Sequence, residues 1–143
     1  MKKSLFLGLS SGVLAGIASI ILLMIYKEAY FTDFSVVKVI LSESIAIQLN
    51  SLSILLACTM AGIIIGLVYT LFIKIFKSKG LIIFNLFLTL FTFATLILPM
   101  AAKLPLDLDE DTMLLFPGFA VTAHFFPILS WYTLKPIFFR VKK

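Results

Sequence analysis

The residue with the widest chemical range in this chain lies deep within an apolar stretch. His124 falls between Gly118 and Phe139, and its imidazole can relay protons, ligate a metal or contact haem. An ionisable side chain in lipid is a functional candidate by default, because the bilayer solvates it poorly. Metal and haem sites, however, draw on several ligands, and His124 is the only histidine. The plainer role is a neutral imidazole bonded to a hydroxyl, an amide or the Ala123 carbonyl, which Pro127 deprives of its N–H partner. That role is the expectation, with no metal and no cofactor.

A second set lies one apolar block earlier. Asn85, Thr89, Thr92 and Pro99 fall within roughly 80° of one another at the helical period. Such a stripe is either a polar pathway or a row of interhelical hydrogen bonds worth about 0.6–2 kcal/mol each. An ion path ordinarily shows embedded carboxylates as well, so hydrogen bonding is expected. Asp107, Asp109 and Asp111 have the alternate spacing of a calcium loop. Thr112 stands where that loop needs Gly, and Gly118 where it needs Glu, so a solvated acidic loop is expected. Cys58, the only cysteine, has no partner for an intramolecular disulfide. Trp131, Tyr132 and Tyr26 fit interfacial or packing roles.

A third pattern concerns packing. Gly8, Gly12 and Gly16 recur every four residues, with Ser4, Ser11, Ala15 and Ser19 on the same broad face, and Gly62 and Gly66 repeat the spacing. Small residues let helix backbones approach closely in lipid. The face serves either a partner or the neighbouring helix of the same chain. Internal packing is the expectation, since an antiparallel neighbour is nearest.

These residues need elements to hold them, and composition says which. The 143 residues are 62% hydrophobic and 13% charged, against about 25% charged in soluble domains. A soluble fold of this size has too little interior for that apolar surface. The apolar residues form four blocks, about 5–26, 51–73, 81–102 and 118–139, each long enough for a ~30 Å hydrocarbon core. An all-α, antiparallel bundle of four transmembrane helices, making one domain of residues 1–143, is therefore expected. The first block has 22 residues, longer than a signal-peptide core of about 7–15, so a retained anchor is expected. The link from Lys27 to Asn50 is too apolar for a plain loop. Its residues 35–48 are expected to form an interfacial helix, broken from the second span by the polar run 48–53. Pro117-Gly118 reads as a turn or helix start.

The net charge of +5 does not imply nucleic acid, because the basic residues flank the blocks instead of sharing a face. Lys2, Lys3, Lys74, Lys77, Lys79, Lys135, Arg140, Lys142 and Lys143 fall on one side. Lys27, Lys38 and Lys103 fall on the other, with all seven acidic residues. This asymmetry places both termini in the cytoplasm of a plasma or bacterial-type inner membrane.

No catalytic constellation is present. A small multidrug-exporter-like protein would need a carboxylate in the first span, and a quinone-linked disulfide-forming enzyme would need paired cysteines. The expected function is a non-enzymatic accessory or structural subunit of a membrane complex, or a homo-oligomer, with the bilayer and a second membrane protein or a second copy as partners. The alternative is a small transporter or channel using His124 with Asn85, Thr89 and Thr92. A cysteine introduced at Asp109, in a Cys58→Ser background, is expected to react with an impermeant maleimide from outside intact cells. Labelling only after lysis would reverse the orientation.

Overall fold

The computed structural model describes residues 2–42, 45–100 and 109–139. Nearly all of them lie in helices. These are α1 (Lys2–Tyr30), α2 (Ser51–Phe76), α3 (Gly80–Ala94), the short α4 (Ile97–Met100) and α5 (Glu110–Phe138). Three helical runs among the described residues are long and apolar enough to cross a membrane: Lys2–Tyr30, Ser51–Ala94 and Glu110–Phe138.

The middle run is not straight. Lys77 takes a positive φ of 49°, and the chain turns through a 3-10 segment at Lys77–Lys79. Beyond the turn, Tyr69 meets Phe84 and Phe72 meets Phe87, with ring centres 5.0 Å apart in each pair. Residues so distant in sequence meet at that separation only if α2 and α3 run antiparallel. The turn is tight enough to need Gly80, where a β-carbon would stand 2.7 Å from the Phe72 carbonyl oxygen.

The tightest seam joins α1 to α2. A β-carbon on Gly12 would stand 2.6 Å from the Cys58 carbonyl oxygen, and one on Gly66 would stand 2.6 Å from that of Ser4. Gly8 and Gly62 press on each other's backbone, and Gly16 abuts Leu55. The serines of this face are buried, and their hydroxyls are bonded. Ser11 donates to Gly8 O and Ser19 to Ala15 O, each at 2.9 Å. Thr70 donates to Gly66 O, and its hydroxyl bonds that of Ser4 across the seam at 2.5 Å. Outside, Leu52, Leu56, Met60, Ile64, Leu67, Leu71 and Ile75 make one exposed row along α2. Small and hydroxylic residues inside with large apolar residues outside is a distribution suited to lipid.

The apolar interior has two parts. Leu7, Tyr69, Phe84, Leu88, Ile128 and Trp131 pack at the end holding the termini. Leu23, Phe34, Val37, Ile54, Phe116 and Phe119 pack at the opposite end.

Several expectations need correction. Residues 35–48 do not form an interfacial helix. Asp33 caps a 3-10 turn at Phe34–Val36, and strands β1 (Lys38–Ser42) and β2 (Ile45–Gln48) pair antiparallel. The β-branched run explains this, because crowding at Cβ disfavours a helix and suits a pleated pair. Its pattern is that of a strand: Val37 is buried, Lys38 exposed and Val39 half-buried. Phe34 and Val37 are the anchors, each 0% exposed. Lys27 bonds the Asp33 carboxylate at 2.7 Å and, with the Ser35 N–H, holds its pKa down to about 2. The polar run does break the chain. Asn50 caps α2 by accepting from Ser53 N at 2.8 Å, and Ser53 Oγ accepts from Asn50 N in return.

The last helix starts at Glu110, not near Gly118, so Pro117 lies inside it. Asp109 accepts from Thr112 Oγ1 at 2.7 Å and from Thr112 N at 2.8 Å, which lowers its own pKa, and Glu110 and Asp111 favour the positive end of the helix. The third block is helical to Ala94, turns at 95–96 and resumes as α4, so Pro99 lies off the main helix. Glu43, Lys103, Asp107, Arg140, Lys142 and Lys143 lie outside the described residues.

Replacing Gly12 by Val should cost about 1–3 kcal/mol through overpacking against the α2 backbone. Leu56→Val, on the exposed row, should stay within about 0.5 kcal/mol. Thermal unfolding in one mild detergent compares the two, and equal losses would contradict the seam.

Candidate functional site

The polar residues of α3 all turn toward α5 or back onto their own helix. Nearest the termini, Asn85 receives two bonds. Its side-chain oxygen accepts from Lys135 Nζ at 2.8 Å, and its backbone oxygen accepts from Tyr132 OH at 3.0 Å. Thr89 Oγ1 lies 3.2 Å from the same Tyr132 hydroxyl. Tyr132 has already spent its proton on Asn85, so Thr89 donates to it. Thr92 donates to Leu88 O one turn back, at 2.8 Å, and is buried. One turn further, Thr95 Oγ1 lies 3.0 Å from His124 Nε2.

The network also favours one tautomer of the histidine. His124 Nε2 lies 3.3 Å from Thr92 O, which can only accept. Thr95 points its hydroxyl proton at Phe91 O, 2.9 Å away. Both neighbours therefore ask Nε2 to donate, and when the ring is neutral Nδ1 is its acceptor. With α5 starting at Glu110, His124 lies ~21 Å along the helix, deeper than a start at Gly118 implies. Its partners are a hydroxyl and the carbonyl of Thr92, not that of Ala123.

Tyr132 and Lys135 do more here than the sequence suggested. Tyr132 reads as an interfacial or packing ring, and Lys135 as one of several topology-setting charges. Lys135 is instead half-buried, with Nζ 5.4 Å from the centre of the Tyr69 ring and 6.0 Å from those of Phe84 and Tyr132. Rings and an amide oxygen solvate this cation, and no carboxylate pairs with it among the described residues. A usable signal exists in the spacing. His124, Trp131 and Lys135 fall at i, i+7 and i+11, which is one helical face. Trp131 is fully buried between them, against Tyr69 and Phe84.

Above the Asn85–Lys135 contact, a space opens between α2, α3 and α5 even though hydrogen bonds continue to tie α3 to α5. The gap is a cleft of about 580 Å³. It begins under the hairpin at Ile47 and Leu49 and descends past His124 and Thr95 to Leu88 and Ile128. Alanines on two walls, Ala57 and Ala61 of α2 and Ala120 and Ala123 of α5, keep it wide. Ser19, Ser53 and Thr92 add a few polar points, and otherwise the lining is aliphatic and aromatic. The volume falls in the ~300–1,000 Å³ range of small-molecule sites. His124, Thr92 and Thr95 thus share one cavity, while Asn85 and Thr89 belong to the seam below it. Gly8, Gly12, Gly16, Gly62 and Gly66 sit apart, in the α1–α2 seam. No cluster of three metal-ligating side chains occurs among the described residues.

Comparison of the chain with protein-family models, curated proteins and solved structures returns no match. The functional reading rests on the cleft and the seam.

A double-mutant cycle of Asn85→Ala and Lys135→Ala should return a coupling of about 0.6–1.7 kcal/mol in detergent unfolding. Strict additivity would mean that the two side chains do not bond.

Proposed function

We propose that the chain is a non-enzymatic, multi-pass membrane protein that crosses the bilayer four times and holds one tail of a lipid-like molecule in the α2–α3–α5 cleft. Four antiparallel segments support the four crossings. α3 and α4 together run from Gly80 to Met100, ~30 Å at helical rise and so enough for the third. The lysine asymmetry supports cytoplasmic termini, which puts the cleft in the outer leaflet.

The observation behind the ligand class is the lining. An apolar cavity of about 580 Å³, with an imidazole–hydroxyl pair and a few further hydroxyls on its walls, suits a single acyl or isoprenoid chain. It offers little to a sugar, nucleotide or ion, which would need several free polar groups. As an accessory subunit or a homo-oligomer, the protein would present its exposed Leu, Ile and Phe rows to a partner, because its glycines already cover one another. The transporter alternative draws less support. Asn85 and Thr89 spend their side chains on α5, and Thr95 and a backbone carbonyl take up the donor nitrogen of His124.

Photoreactive palmitate in proteoliposomes tests the proposal. Crosslinks are expected on the 57–61 and 120–128 segments. Ala61→Trp and Ala120→Trp, filling the cleft from opposite walls, should each reduce them to background. Leu90→Trp, on the exposed face of α3, should not. Equal labelling of all four proteins would overturn the reading.

A further inference from the structure

At the opposite end of the molecule, around the start of α1, a second site combines charge with an apolar track. Lys2, Lys3, Ser4, Tyr69, Thr70 and Phe139 bound a pocket of about 310 Å³. The same two lysines also border an adjoining groove of about 470 Å³, whose other walls are Phe6, Ile137 and Phe138. Phe6 and Phe138 pack at 5.6 Å to form its floor, and Phe6 and Ile137 are more than half exposed. The lysines therefore stand between a pocket with polar walls and a strip of exposed apolar surface.

We infer that this site binds an anionic phospholipid, with the phosphate against Lys2 and Lys3 and an acyl chain along Phe6 and Ile137. Three observations argue for it. First, among the described residues the local charge is positive and unopposed. Every described carboxylate, on Glu28, Asp33, Asp109, Glu110 and Asp111, lies at the hairpin end of its element. Lys135 adds a further cation 5.4 Å from the centre of the Tyr69 ring that lines the pocket. Second, charge recognition falls to the lysines. Thr70 donates to Gly66 O and lies 2.5 Å from the Ser4 hydroxyl, so both hydroxyls are already engaged within the protein. Third, the adjoining apolar groove distinguishes a lipid from a free phosphate, which has nothing to place there. Basic pockets between spanning helices on the cytoplasmic side are where anionic headgroups dock.

The inference rests on the membrane-spanning reading proposed above but not on the outer cleft. Native mass spectrometry from nanodiscs tests it. Discs of phosphatidylglycerol mixed with phosphatidylcholine should release the protein with one phosphatidylglycerol retained in preference. The double variant Lys2→Ala/Lys3→Ala should weaken that retention by about thirtyfold, the factor for losing two lysines at a charged surface. Lys74→Ala/Lys79→Ala removes the same charge from the same membrane face outside the pocket, and should retain the lipid. Equal loss in both double variants would reduce the effect to general surface charge and overturn the site. Displacement of the lipid by millimolar inorganic phosphate would overturn its commitment to a lipid. Entry into the disc reads the membrane assignment separately, so a protein that enters and shows no anionic preference refutes the pocket alone.

Discussion

The close approach of two backbones is the constraint on which the rest of the structure depends. Gly8 and Gly12 of α1 meet Gly62, Gly66 and the Cys58–Thr59 peptide of α2 with no room for a side chain between them, and Gly16 abuts Leu55. Lipid tails are as apolar as leucine, so hydrophobic exclusion does not press these helices together. Contact area does, through many small dispersion terms that need atoms at van der Waals distance. Glycine supplies that distance, and the buried serines supply hydroxyls that bond locally and cost little. The glycines are thereby spent, and what remains outside is a coat of leucine, isoleucine and phenylalanine.

The other helices pack around this pair. α5 lies along α1, pinned near one end by Tyr26, Phe34 and Phe119 and near the other by Phe6 and Phe138. α3 returns from the Lys77–Lys79 turn and is held near its start by the aromatic cluster of Tyr69, Phe72, Phe84 and Trp131. From there, hydrogen bonds to Lys135, Tyr132 and His124 tie it to α5. Its small residues are few and its phenylalanines many, so it cannot come as close to α2 as α1 does. The cleft follows from that mismatch. One helix pair is joined by glycines and the other by long polar side chains, and alanines leave the intervening space open. Above the cleft, the β1–β2 hairpin lays Ile47 and Leu49 over its mouth.

Much of the architecture was legible because lipid imposes simple rules. Blocks of apolar residues bounded by lysines gave the helices, and the polar run around Asn50 gave the break before α2. The four-residue glycine repeat marks a packing face, and that face lies on the antiparallel neighbour α2. Boundaries were harder. The start of α5 depends on Asp109 folding its carboxylate onto Thr112, a capping signal obscured by the more conspicuous Pro117-Gly118. The hairpin is hard to read from sequence because an apolar run beside a membrane resembles an amphipathic helix, although its β-branched residues and the alternation from Val37 to Val39 favour strands. His124 and the Asn85 stripe were visible as expensive residues. Their partners were not, because pairing of α3 with α5 depends on helix rotation, which one sequence does not fix. Lys135 was hidden by its position near a helix end, where a lysine ordinarily reaches outward to water. Here it reaches inward to Asn85.

The central claim is that α1 and α2 of a single chain meet through their small-residue faces. Ser19 Oγ lies 3.8 Å from Cys58 Sγ across that seam, so a Ser19→Cys variant sets a second thiol beside the native one. Mild oxidation in the membrane should then close a disulfide within one chain, leaving a monomeric band on a non-reducing gel and a mass lower by two hydrogens. Disulfide-linked dimers, or two thiols still free to react, would contradict the account.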